Sequence, residues 1–183
     1  MNKAVFLDRD GVIIKQIHHL HKLEQLRVLA GVGRAIKELN QLGFLVIIAT
    51  NQGGMIARGL MSEKYANHIN TVLIKRLKKC QAKIDAIYYC PHHPKGIIKK
   101  YSRNCSCRKP KIGLIKQAAK DFNINLKNSF LIGDMTSDIL AGQRAGLKTI
   151  LVKTGYSGSD KLHKVEPDYI AKNLAEALKF IKK

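Results

Sequence analysis

Tryptophan is absent from this chain, and aromatic residues make up only 6% of it. No segment interleaves basic residues with stacking rings, so a dedicated nucleic-acid platform is poorly served. Nothing approaches the roughly 20 consecutive apolar residues that cross a bilayer. Met1-Asn2-Lys3 leads into only four apolar residues before Asp8, too few for a signal-peptide core. A cytoplasmic protein with no membrane association is therefore expected. A Walker A sequence is missing. Gly31-Val32-Gly33 lacks the third glycine and the preceding strand of a dinucleotide fingerprint. No repeat or low-complexity linker divides the chain. A single domain over residues 1–183, with an irregular insertion at about 90–110, and a monomer are expected.

Acidic side chains are scarce as well, 13 against 33 basic ones, for a formal charge of +20. Residues 62–111 hold thirteen basic and only two acidic side chains, the steepest excess along the chain. A field of that sign concentrates anions. An anionic small substrate, nucleic acid and a merely lysine-rich surface all fit it. Cysteines number four, and without a secretory leader disulfides are not expected. Cys80 closes a helical pattern and is expected to be a small, partly buried hydrophobe. The other three cluster with a histidine.

Strand-like and helix-like segments alternate, which predicts a parallel α/β sheet. Expected strands are Ala4–Leu7, Phe44–Ala49, Ile84–Tyr89, Phe130–Ile132 and Thr149–Val152, with a sixth edge strand within Pro167–Ala171. Residues 11–30 read as a loop. A helix follows with Val32, Ala35, Ile36 and Leu39 on one face. Ser62 caps a long helix to about Lys79, with Ile69, Val72, Leu73 and Leu77 at helical spacing. Further helices are expected from about Lys111 to Asp121, from a Thr136 cap to Gly146, and after Asn173 with Glu176.

Three of the strands stop at polar residues: Asp8-Arg9-Asp10-Gly11, Thr50-Asn51-Gln52, and Gly133-Asp134 with Asp138. Open parallel sheets bind ligands outside the carboxyl ends of their strands. Asp8 and Asp10, two apart at a strand end, can point to the same side. One carboxylate can attack phosphorus while the other moves a proton, which splits ester hydrolysis through an aspartyl-phosphate. Such hydrolysis needs accelerations up to ~10²¹, so charge neutralisation must accompany positioning. Asp134 would complete an oxygen site for Mg²⁺. Thr50 offers a hydroxyl, backbone N–H groups near Asn51 could hold phosphoryl oxygens, and Lys109 is the natural cation.

Cys90-Pro91-His92 and Cys105-Ser106-Cys107 form two short-spaced pairs, the pattern of a closed Cys₃His zinc site. With four protein ligands that zinc would be structural. His93 is the alternative ligand. His18, His19 and His21 lack acidic or thiol partners at ligand spacing, and a solvated or substrate-facing loop, rather than a second transition-metal site, is expected there.

These residues resemble the zinc-containing, capless phosphatases of the haloacid dehalogenase-like superfamily. The resemblance lies in Phe6–Gly11, Thr50–Gln52, Ile56–Gly59, Tyr88–Pro94, Cys105–Pro110, Ile132–Asp134 and Ser137–Ile139. It implies a three-layer, doubly wound, Rossmann-like sheet without a large cap domain. Asp8 would then be the nucleophile and Asp10 the general acid/base. Mg²⁺ would be held by Asp8, the Asp10 carbonyl and Asp134. Thr50 and Lys109 would stabilise the phosphoryl group. Asn51, Gln52, Gly53, Arg108, His18 and His19 would meet the substrate. The implied substrate is a small phosphorylated metabolite, first a heptose 1,7-bisphosphate cleaved at the 7-phosphate. Histidinol phosphate, a nucleic-acid 3′-phosphate and a zinc-stabilised nucleic-acid-binding module are the alternatives. Three positions depart from the family pattern: the His18-His19-Leu20-His21 loop, an inserted Met55, and Met135 in place of a basic residue.

Overall fold

The computed structural model describes residues 1–17 and 20–182, so the expectations for His18 and His19 lie outside the described residues. The elements run β1 (Ala4–Leu7), α1 (Val32–Gln41), β2 (Leu45–Asn51), α2 (Gly53–Ile56), α3 (Glu63–Lys78), β3 (Ala86–Cys90), α4 (Gly113–Asp121), β4 (Phe130–Gly133), α5 (Thr136–Ala145), β5 (Lys148–Val152), β6 (Tyr169–Ala171) and α6 (Leu174–Ile181). Six parallel strands make one sheet in the order β3-β2-β1-β4-β5-β6.

β1 pairs on both sides, Val5 opposite Val46 and Phe130. All four of its residues are buried, as a central parallel strand covered on both faces requires. Alternation sends Val5 and Leu7 to the layer packed by α1, α3 and α6. Ala4 and Phe6 go to the opposite layer with Leu114, Ile115 and Ala118 of α4 and Ala141 of α5. The chain winds outward from β1 through β2 and β3, then returns to β4 and winds the other way. The reversal lies between β1 and β4, where crevices form in doubly wound sheets.

Several boundaries differ from the sequence expectation. β2 continues through Thr50 and Asn51 because both pair with β3, opposite Tyr89 and Cys90. The loop after β1 contributes to the core, with Val12, Ile13, Ile14, Leu20 and Leu26 buried. Met135, not Thr136, caps α5. Asp138 accepts a hydrogen bond from the Met135 N–H, while the Thr136 hydroxyl donates to Asp160. Val72 is half-buried, whereas Asn70 lies on the buried face of α3. Cys80 is exposed in the turn after α3. Ser62 does cap α3, accepting from the Tyr65 N–H at 3.1 Å, and the Asn173 side chain accepts from the Glu176 N–H at 2.9 Å.

Candidate active site

At the carboxyl end of the sheet a cavity of about 250 Å³ is lined by Asp8, Asp10, Thr50, Asn51, Gln52, Lys109, Asp134 and Asp138, among others. Asp8 leaves β1 with its N–H bonded to the Ile132 carbonyl of β4, at 2.9 Å. Asp134 follows β4, and Asp138 lies on the first turn of α5. The carboxylates of Asp8, Asp134 and Asp138 come within 4.8 Å of one another. Gly11 makes this approach possible. It has a φ of +81°, and a Cβ there would stand 2.3 Å from an Asp134 carboxylate oxygen.

Lys109 reaches this group from the loop after β3. Its Nζ donates to Asp8 at 2.8 Å and to the Ala49 carbonyl at 2.6 Å, and stands 2.6 Å from Asp138. Burial opposes the ammonium charge, but Asp138 and Asp8 outweigh it and raise the lysine above its ordinary range. Burial, then Asp8 and Asp138, push the Asp134 carboxyl up to about 8. Burial also pushes Asp138 up to about 6, against the pull of Lys109. One ammonium does not neutralise three buried carboxylates. That uncompensated charge and the all-oxygen donor set fit a hard divalent cation.

The amide of Asn51 faces the Lys109 backbone. It donates to the Lys109 carbonyl at 3.1 Å and accepts from its N–H at 3.0 Å. Gln52 donates to Asp10 at 3.0 Å and to the Thr50 hydroxyl at 3.1 Å, and accepts from Arg9 at 2.6 Å. Both side chains hold neighbouring groups in place. Gly53 opens the one-turn α2, and a Cβ there would meet the His92 carbonyl at 2.0 Å, so the turn and the cysteine loop share one close contact. The Arg108 guanidinium donates to the His92 carbonyl at 3.3 Å and does not line the cavity, whereas Arg58 does. Sequence reasoning passed over Arg58, although Ile-Ala-Arg-Gly was among the matching segments. Met55, Met135 and Leu20 form apolar lining.

Beside the cavity, Cys90 at the end of β3, His92, Cys105 and Cys107 converge. The sulfurs lie 3.1–3.5 Å apart, and His92 Nδ1 is 3.4 Å from Cys107 and 3.8 Å from Cys90. A tetrahedral zinc with ~2.3 Å bonds to sulfur needs edges of about 3.8 Å, so small outward shifts would seat one. Burial, then Arg103, lowers His92 and favours its ligating neutral form. His93 is turned elsewhere, its Nδ1 accepting from the Lys95 N–H at 3.1 Å. Glu63, at the start of α3, anchors the loop by accepting from Tyr101 at 2.7 Å and Tyr89 at 3.1 Å.

A HAD-hydrolase-like family model matches residues 106–177. A D-glycero-alpha-D-manno-heptose-1,7-bisphosphate 7-phosphatase of Photorhabdus laumondii is 45% identical over 159 residues, 86% of either chain. The D-glycero-beta-D-manno-heptose-1,7-bisphosphate 7-phosphatase of Pasteurella multocida is 39% identical over all of this chain and 98% of its own. Among solved structures, the D,D-heptose 1,7-bisphosphate phosphatase of B. bronchiseptica, complexed with magnesium and phosphate, superposes with a TM-score of 0.87. It is 29% identical, with 98% of both chains covered.

The raised carboxyls make a pH prediction. Asp134 and Asp138 titrate above their ordinary 3.8 in the folded chain, so without a cation the native state keeps protons that the unfolded state has lost. Their contribution is fully present below that value and is lost as pH climbs through about 6 and about 8. A divalent cation such as Mg²⁺ would bind the ionised carboxylates, so the shift it causes in the urea midpoint should grow from about pH 5 to about pH 8. A shift that is flat or shrinks over this range would contradict the assignment.

Proposed function

The chain belongs to the family of D-glycero-D-manno-heptose-1,7-bisphosphate 7-phosphatases, and from that membership we propose that it hydrolyses the 7-phosphate of D-glycero-D-manno-heptose 1,7-bisphosphate. It is a phosphoric monoester hydrolase of the haloacid dehalogenase-like type. The observation that supports the reading best is the buried carboxylate group around Lys109 at the switch point of the sheet.

Asp8 attacks phosphorus in line with the ester oxygen, and Asp10 delivers a proton to that oxygen as the P–O bond breaks. In the second half Asp10 takes a proton from water, whose oxygen attacks the aspartyl-phosphate and releases phosphate and the Asp8 carboxylate. The Thr50 hydroxyl accepts from Gln52, which leaves its own proton to donate to a phosphoryl oxygen. Lys109 neutralises charge on the same group, and Asn51 fixes it there through its backbone. Mg²⁺ held by Asp8, Asp134 and the Asp10 carbonyl would offset the repulsion between carboxylates and phosphate. Asp138 acts by holding Lys109 and the start of α5.

The second phosphate calls for a cation at the mouth of the cavity. Arg58 lines it, and Arg58 and Arg108 lie close enough to His93 for both to lower its pKa, after burial. Arg58 would hold the 1-phosphate, with Arg108 adding positive charge beside it. Cys90, His92, Cys105 and Cys107 would hold one structural zinc that fixes the loop carrying Arg108 and Lys109.

Asp8→Asn should abolish phosphate release from the bisphosphate while leaving the circular dichroism spectrum unchanged. Undiminished turnover would overturn the mechanism. Arg58→Ala should raise KM for the bisphosphate at least tenfold more than for a simple sugar monophosphate, and equal effects on both would remove Arg58 from recognition. Purified protein should contain about one zinc per chain. Cys107→Ser should lower zinc content and thermal midpoint together, and zinc retained after replacement of all three loop cysteines would refute the site.

A further inference from the structure

Arg9 separates the two catalytic carboxylates in sequence, yet it does not line the cavity. Its side chain is 1% exposed, a buried guanidinium behind the site. Buried charges are retained only where the fork finds partners, and here every partner among the described residues is a side chain. Nε donates to Asp10 Oδ2 at 3.1 Å, and Nη2 stands 3.0 Å from the same oxygen. Nη2 also donates to Gln52 Oε1 at 2.6 Å, and Nη1 to Asn70 Oδ1 at 2.9 Å. Gln52 Nε2 adds a further donor to Asp10 Oδ2 at 3.0 Å. Asn70 occupies a buried position of α3, 61 residues away, where the helical pattern otherwise places apolar side chains. The same three-residue network thus ties the helix layer to one oxygen of one carboxylate.

We infer that Arg9, anchored by Asn70, is a positioning residue that assigns the transferable proton of Asp10 to Oδ1. A protonated carboxyl has one O–H, and either oxygen can carry it. Oδ2 receives N–H donors from Arg9 and Gln52, so its lone pairs are engaged and a proton there would face other donors. Oδ1 accepts no hydrogen bond among the described residues. The donors thus leave Oδ1 as the oxygen free to exchange a proton, on the side chain that lines the cavity. In the first half-reaction the Oδ1–H bond breaks as the ester oxygen leaves phosphorus and takes the proton. In the second, Oδ1 takes one proton from the attacking water. Atoms and charge balance without any further reactant.

The inference rests on the phosphatase reading, and leaving-group dependence separates the two. A sugar alkoxide needs a proton as it departs, whereas nitrophenolate does not. kcat/KM reports only the steps through aspartyl-phosphate formation, so the later use of Asp10 as base does not enter it. Arg9→Lys keeps the charge and loses the fork. It should lower kcat/KM for heptose bisphosphate at least tenfold more than for p-nitrophenyl phosphate, within the ~10²–10⁴ that general acid catalysis contributes. Asn70→Ala leaves the guanidinium in place but frees its anchor, and should show the same selectivity at smaller size, so the test survives a poorly folded Arg9 variant. Equal losses on both substrates, no loss, or two variants that both unfold would make Arg9 structural only and overturn the inference. A wild-type protein inactive on both substrates would overturn the phosphatase reading itself.

Discussion

A single ammonium group, Lys109 Nζ, ties together four parts of the chain that are distant in sequence. It meets Asp8 after β1, the Ala49 carbonyl in β2 and Asp138 in α5, while its own backbone belongs to the cysteine loop. It is 3% exposed. Removing one partner from such a buried pair leaves an uncompensated charge, at a cost of about 3–5 kcal/mol. The geometry of the carboxylates is therefore inseparable from the geometry of the loop that delivers the lysine. Asn51 strengthens this dependence. A side-chain amide that both donates to and accepts from one residue's backbone fixes orientation as well as position, as a short strand pairing would.

The cysteine loop has little else to order it. Residues 91–110 lack regular helix or strand, and Ile97 is 79% exposed. The contacts that hold it are mostly polar: Tyr101 on Glu63, the Ile97 and Ile98 N–H groups on the Ala57 carbonyl, and the converging sulfurs, with Tyr101, Cys105 and Cys107 only partly buried against the core. In the proposed reading a zinc ion supplies what apolar burial does not, and apparent binding free energies of ~10–16 kcal/mol are ample for a loop of this length. The metal then acts on the reaction only through the placement of Lys109 and Arg108.

Much of the frame was legible because its signals are local. Short apolar runs ending in polar residues marked the strands, and Ser62, Asn173 and Gly146 marked helix ends by their own cap chemistry. The carboxylates were legible because Asp8, Asp10 and Asp134 each follow such a run. The supporting contacts were not. Asn70 reads as a flaw in the apolar face of α3, since nothing near it in sequence points to Arg9. The family resemblance implies that Asn51 and Gln52 meet the substrate, but nothing near them in sequence points to the Lys109 backbone, Asp10, Thr50 and Arg9, which their side chains bond. Cys80 read as partly buried by residue type, and only the turn that ends α3 places it outside. Arg58 was hidden among 33 basic residues, where one more cation carries no information until a cavity is seen beside it.

That excess of basic residues and the acidic interior are two scales of one electrostatic arrangement. The formal +20 acts over the Debye length of about 8 Å at physiological salt, so it raises the concentration of any anion near the surface without selecting among them. Selection begins where solvent is excluded. There an arriving phosphate meets Asp8, Asp134 and Asp138, and the local sign is opposite to that of the whole molecule. Long-range attraction brings an anion to the cavity mouth and short-range repulsion resists the last few ångströms. Lys109 alone does not reverse that repulsion, because its charge is already shared between Asp8 and Asp138. In the proposed reading a divalent cation is thus as much a condition for phosphate entry as for the chemistry, and a protein this basic overall would still have to import positive charge at the one place where phosphorus is attacked.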